Sequence, residues 1–170
     1  MDDIVKAALK KWPNVPHCYG WLALDVRGDW YMRDERIQAA GPFPEVKGSR
    51  VNHEKLREFI ERNYACDDAG AWFFQNGPQR VYLQLEAAPW VWRLQADGSI
   101  ASHTGRAAVF ASVWLDELGR LFLDTDIGLG IVHSLDMETA ADAVEAGRWA
   151  PQACRFAELP ERFGFILQPT

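Results

Sequence analysis

The residues best suited to chemistry in this chain are arginines and aromatics. Arg33, Arg50, Arg93 and Arg106, with Trp90 and His103, form a candidate binding set. A guanidinium offers a planar fork of donors that fits phosphate or carboxylate, and an indole can stack on a planar base. The stretch Ser99-Ile100-Ala101-Ser102-His103-Thr104-Gly105-Arg106 adds hydroxyls and an imidazole and reads as an anion-contacting loop. Against this stands a plainer reading. Surface arginines usually pair loosely with nearby acids, and Trp90 alternating with Trp92 on a strand suits a core.

Other chemistries find less support. His17, His53, His103 and His133 have no neighbours at metal-ligand spacing, and Cys18, Cys66 and Cys154 form no CxxC pair, so neither a metal nor a cofactor is expected. Asp124-Thr125-Asp126 follows a strand and offers oxygen ligands to a divalent cation, yet aspartates there more often cap turn amides. Gly128-Leu129-Gly130 lacks the third glycine and the Lys-Ser/Thr of a phosphate loop. No Gly-x-Ser-x-Gly and no nucleophile–base–orienter set occurs. The expectation leans towards a protein that is not an enzyme.

The elements that would position these residues follow from periodicity and turn signals. Asp2–Trp12 reads as an amphipathic helix stopped by Pro13, and Trp21–Met32 as a hairpin turning at Arg27-Gly28. Gln38–Arg50 is long and irregular, the kind of loop that is usually functional. A helix from an Asn52 cap to about Tyr64 comes next, then strands over Ala71–Gln75, Arg80–Leu85 and Trp90–Gln95. A second hairpin spans Val109–Thr125, followed by a strand at Leu129–His133, a helix over about Asp136–Ala146, and strands near Ala153–Ala157 and Phe163–Gln168.

The two hairpins echo each other: Asp25 and Asp116 each stand three residues before the turn glycine, Gly28 or Gly119. Asp at that place accepts hydrogen bonds from turn amides, so the repetition signals a shared fold and not a pair of catalytic acids. A second echo links Phe74–Leu83 with Phe156–Phe165. The chain therefore reads as α+β with a predominance of antiparallel sheet, in two hairpin–helix–hairpin units. The expected division is a helix and connector at 1–19 and repeats at 20–106 and 107–170, in a single compact domain.

The 170 residues carry a formal net charge of -6, with no run of like charges. That argues against a nucleic-acid binder, which would show a basic stripe. Eight Trp and nine Phe supply much burial per residue and favour a strand-rich core. No run is long and apolar enough to span a membrane. An odd number of cysteines without a signal peptide makes the cytoplasm the expected location.

Asp25-Val26-Arg27-Gly28-Asp29-Trp30-Tyr31, then Leu56-Arg57-Glu58-Phe59-Ile60, then Leu85-Glu86-Ala87-Ala88-Pro89-Trp90 occur in one order. In this the chain resembles the proteobacterial domain-of-unknown-function family twelve-eighty-five. Its members show a hairpin closing on Gly-x-Trp-aromatic, a helix, and a strand ending in Glu-x-Ala-Pro-aromatic. The resemblance runs from about Gly20 to Leu94. It implies a duplicated α+β core, a second half similar to pleckstrin-homology-like folds, a pocket between the halves for a nucleotide-like ligand, and a signalling role. It carries no catalytic residue across. The expected function is a non-enzymatic domain binding a small anionic, nucleotide-like ligand. The alternative is a protein-interaction module or homodimer using an exposed edge or aromatic patch.

Overall fold

The computed structural model describes residues 1–170, which separate into two compact units. Unit 1 comprises Met1–Asp25, Asp29–Glu86 and Phe165–Thr170; unit 2 comprises Val26–Gly28 and Ala87–Gly164. No helix is long and apolar enough to cross a membrane.

Unit 1 contains α1 (Asp3–Lys11), β1 (Cys18–Leu24), β2 (Trp30–Met32), α2 (Glu35–Ala40), β3 (Ser49–Arg50), α3 (Glu54–Arg62), β4 (Tyr64–Cys66), β5 (Trp72–Asn76) and β6 (Gln79–Leu85). Its six strands run in the order β3-β2-β1-β6-β5-β4. Only β1 and β6 pair in parallel, which requires the long crossover that holds α2 and α3. Helix α3 lays Ile60 and Phe59 on the face formed by Leu22, Leu24, Trp30 and Phe74, with the Phe59 and Phe74 rings edge to face at 5.5 Å. Its N-cap is His53, whose Nδ1 accepts the Leu56 amide at 3.3 Å, one residue after the expected Asn52. The segment expected to be irregular is partly regular: Asp34 caps α2 by accepting the Ile37 amide, and Ser49–Arg50 adds an edge strand.

Unit 2 contains β7 (Trp90–Leu94), β8 (Ile100–Ser102), β9 (Ala107–Ala108), β10 (Phe110–Leu115), β11 (Leu121–Thr125), β12 (Gly128–Val132), α4 (Met137–Glu145), β13 (Gln152–Ala153) and α5 (Leu159–Phe163). The sheet order is β13-β10-β11-β12-β7-β8-β9, with β7 parallel to β12 and β13 parallel to β10. Trp90 and Trp92 stack 6.1 Å apart on one face of β7, each buried with its indole N–H bonded, to Ile127 O at 2.8 Å and Leu123 O at 3.0 Å. Gly130 pairs with Trp90 across the parallel ladder, and an added Cβ there would overlap the Trp92 indole Nε1. The Gly-Leu-Gly sequence makes room for two tryptophans.

One turn closes five of the hairpins. In Asp25–Asp29, Asp67–Ala71, Gln95–Ser99, Ser102–Arg106 and Asp116–Arg120 the first residue's amide donates to the fifth residue's carbonyl, at 2.8–3.1 Å. The fourth residue is always glycine, with φ between +77° and +88°. This is the three-residue hairpin loop whose left-handed position excludes most side chains. In the Asp116 turn, Oδ1 accepts the amides of Leu118 and Arg120; Asp67 does the same for Ala69 and Ala71, and Asp25 for Asp29. The turn-capping role expected of Asp25 and Asp116 is the one they perform. Asp126, read as a possible cation ligand, likewise accepts a backbone amide, that of Val109 at 2.7 Å.

The α+β class with mostly antiparallel pairing is the one the sequence predicts. Antiparallel hairpins with a nine-residue helix, α3 or α4, recur in both units, and the seven-stranded second sheet is compatible with a pleckstrin-homology-like fold. Other details differ. Of the strand expected near Ala153–Ala157 only Gln152–Ala153 pairs, as β13, and Phe163–Gln168 is not a strand: Phe156–Glu158 forms a 3-10 turn leading into α5, where Pro160 suits the first turn and Gly164 at φ +68° stops the helix. Only an isolated bridge from Ala71 to Ile166 remains of the second expected strand. Pairing with β12 places Trp90–Leu94, and the strands that follow it, in the second sheet.

Gly130→Ala should lower stability by about 3 kcal/mol in urea denaturation, the cost of forcing a methyl into a filled core. Gly98→Ala, with nothing near its added Cβ, should cost only the left-handed strain of about 1 kcal/mol. Equal losses would show that the tryptophan pair does not require the glycine.

Candidate functional site

The expected binding residues lie in different units and are mostly engaged. Arg33 and Arg50 belong to unit 1; Trp90, Arg93, His103 and Arg106 belong to unit 2. Arg33 is 2 % exposed, and its guanidinium donates to Gln84 Oε1 at 2.9 Å and Gly41 O at 2.7 Å while lying over the Phe43 ring. Burial lowers its pKa, and its Nε has no partner. It ties the loop after α2 to the sheet. Arg50 pairs with Asp29 at 3.0 Å on the surface. Arg93 points away from the Trp90–Trp92 face by strand alternation, and its Nε donates to Asp136 at 2.7 Å. His103 Nδ1 accepts the Val91 amide, and its ring lies 6.0 Å from that of Trp90. Arg106 is exposed in the turn after β8. Within a unit, the structure brings together Trp90 and His103, but Trp90 is a core residue.

A charged cluster that the sequence did not reveal lies in unit 1. Lys47 Nζ bridges Asp25 Oδ2 at 3.2 Å and Glu86 Oε1 at 3.3 Å, and the Tyr31 hydroxyl donates to Asp25 Oδ2 at 3.1 Å. Burial alone would lower the Lys47 pKa, but its bonds to Asp25 and Glu86 raise it overall. Burial and the Asp25 charge raise the Tyr31 pKa. A lysine held charged and a phenol held protonated make a clamp for the Gly41–Gly48 loop, not an activated base. No group of three or more His, Cys, Asp and Glu side chains is placed to hold a metal ion.

The feature with the character of a binding site is an apolar groove of about 350 Å³ in unit 1. Leu22, Ile60, Phe74 and Val81 make its buried floor. Trp21, Met32 and Leu56 stand around it at 38 %, 45 % and 39 % exposure. The cause is local. β1 shifts register against β6 between Cys18 and Leu22, a bulge that lets Trp21 line the groove beside Leu22. At the other side, α3 covers the sheet with Phe59 and Ile60 but leaves its first-turn Leu56 half in solvent. The polar groups are few: Asn76, Gln79, whose Nε2 donates to Pro16 O at 3.3 Å, and the Cys18 thiol. Burial raises the Cys18 pKa, so the thiol stays protonated and is a poor nucleophile. No charged side chain lines the groove.

The family profile described as "Protein of unknown function (DUF2946)" matches residues 1–170. The chain belongs to this family. Its fold is similar to that of a DUF1285 family protein from Silicibacter pomeroyi DSS-3, at 12 % identity over 84 % of each chain and a TM-score of 0.52. A DUF1285 family protein from Shewanella baltica OS155 matches at 14 % identity over 72 % of this chain and 91 % of its own, with a TM-score of 0.46. No curated protein matches. The distant resemblance to the DUF1285 family read from the hairpin, helix and Glu-Ala-Ala-Pro segments thus holds as a likeness of fold.

In this DUF2946 member the sequence signals for the groove are weak. Leu56 falls on the apolar stripe of α3, which reads as core. The only sequence signal for the bulge is the break in alternation at Trp21-Leu22, where two large apolar residues stand side by side.

The Arg93–Asp136 pair gives a pH dependence. Burial would raise the Asp136 pKa, but the hydrogen bonds from Arg93 and the Leu94 amide outweigh it, and the net shift is downwards. A carboxyl depressed in the folded state binds protons more readily when unfolded. Its contribution is therefore present above the ordinary value near pH 4 and is lost as pH falls through the folded value. Asp136→Asn should cost about 1 kcal/mol at pH 7, since Arg93 is half exposed and screened. That gap from wild type should narrow in urea titrations as pH falls below the ordinary carboxyl value near 4; a gap that widens on acidification contradicts the assignment.

Proposed function

We propose that the protein is a non-enzymatic domain that binds a small ligand in the unit 1 groove. The ligand has an apolar body and an uncharged hydrogen-bonding head. The observation that carries this is the convergence of Trp21, Met32 and Leu56, three exposed large apolar side chains, around one concave buried floor. Exposed apolar surface with a polar rim marks a recognition site, and about 350 Å³ lies within the range of small-molecule pockets. Asn76 and Gln79 supply amide groups for the head, and the absence of a lining charge selects against ions.

A second reading keeps the anionic, nucleotide-like ligand that the arginines suggested. What favours it is Arg106, exposed and without a side-chain partner, three residues from His103. Either ligand, bound without reaction, suits a signalling role.

Thermal denaturation separates the readings. Decanamide at a hundred times its Kd should stabilise the fold by about 2.7 kcal/mol, and Leu56→Asp should abolish that shift while the unliganded Tm stays nearly constant. Stabilisation by mono-, di- or cyclic nucleotides alone would move the site to the arginines. A flat panel, with a mass in light scattering that rises with concentration, would replace ligand binding by self-association through the same rim.

A further inference from the structure

Unit 2 has a groove of its own, of about 380 Å³, between the β7–β8 turn and α4. Leu94, Asp97, Thr139, Ala143, Arg148 and Trp149 are among the residues lining it. Two of these are fixed by the end of the helix. Gly147, at φ +75°, reverses the chain, and the amides of Arg148 and Trp149 both donate to Ala143 O, at 3.0 and 3.2 Å. The Trp149 indole is locked further by stacking on Phe110, with centroids 5.4 Å apart and planes 7° from parallel.

The charges in this groove are of opposite sign and not joined. Arg93, Arg120 and Arg162 of the same unit pair with Asp136, Asp116 and Glu158. The Arg148 guanidinium, like those of Arg106 and Arg155, has no such partner, and of these three it alone lines the groove. Asp97 is held from behind: its Oδ1 accepts the Ser99 amide at 2.9 Å and the Ser99 hydroxyl at 2.6 Å, leaving Oδ2 open. Those bonds lower its pKa and keep it ionised. It occupies this place because the β7–β8 turn begins with Gln95, where the other four of its kind begin with Asp or Ser, so the capping carboxylate comes from inside the loop. Asp97 and Arg148 line one cavity yet lie beyond the 4.0 Å of an ion pair. The dipole of α4 accounts for a cation at the helix C-terminus. It does not account for a carboxylate across the same groove that stays unpaired with it.

We propose that this groove binds a free α-amino acid with an apolar side chain. The carboxylate lies on the Arg148 guanidinium, which can donate two parallel hydrogen bonds to it. The ammonium lies on Asp97, and the side chain packs on Leu94, Ala143 and Trp149. A monoanion would engage only Arg148 and a monocation only Asp97; a zwitterion engages both.

The test is a ¹H–¹⁵N NMR titration of the full chain with L-phenylalanine, N-acetyl-L-phenylalanine and L-phenylalaninamide. L-phenylalanine should give saturable shifts at Ala96–Ser99, Thr139, Arg148 and the Trp149 indole. Removing either ligand charge should weaken binding at least tenfold. Arg148→Gln and Asp97→Asn should each do the same without changing Tm, since both side chains are at the surface. Leu56→Asp, in unit 1, should leave this binding intact, which separates it from the apolar groove. No shift with L-phenylalanine, shifts confined to other residues, or equal binding of the acetylated or amidated analogue would overturn the proposal.

Discussion

Each three-residue hairpin loop leaves amides at its third and fifth positions that need an acceptor, and the sheets depend on how that need is met. A short side-chain acceptor at the first position meets it locally: a carboxylate in Asp25, Asp67 and Asp116, a hydroxyl in Ser102. Because these bonds lie within five residues, they fix the register of each pair of strands locally. The long-range pairings, β1 with β6 and β7 with β12, join these hairpins into the two sheets. Asp116 shows how strongly such a position is held: it is nearly inaccessible, bonded to two amides and also to the Arg120 guanidinium at 2.8 Å.

Charge in this protein mostly serves the scaffold. Arg33 and Lys47 pin the two ends of the Gly41–Gly48 loop, with Phe43 buried between them and its carbonyl accepting from Gln168. Arg93 and Asp136 join β7 to the start of α4. Arginines so engaged are poor candidates for a ligand, since binding an anion would mean breaking a bond already made. Apolar surface left uncovered is what remains in unit 1, where a bulge and a short helix meet over the sheet.

The turn chemistry was legible because it is local: Asp three residues before Gly specifies the same loop wherever it occurs. The second echo failed for the same reason. Asn76-Gly77-Pro78 closes a hairpin, whereas Leu159-Pro160-Glu161 begins a helix, so similar letters sit on unrelated backbones. The Arg93–Asp136 and Lys47–Glu86 pairs span dozens of residues and have no periodicity to betray them. Trp21 and Leu56 carried the right chemical signal, but their exposure follows from where the β1 bulge falls and where α3 begins over the sheet. Neither can be read from one strand or one helix alone.

Fluorine NMR of protein labelled with 5-fluorotryptophan addresses the groove most directly. The eight tryptophans give one probe each, and Trp21→Phe identifies the line of interest. On titration with decanamide the Trp21 line should move and saturate while those of the buried Trp90 and Trp92 stay fixed. A Trp21 line that does not respond, or a uniform drift of all eight, would contradict ligand binding in the unit 1 groove.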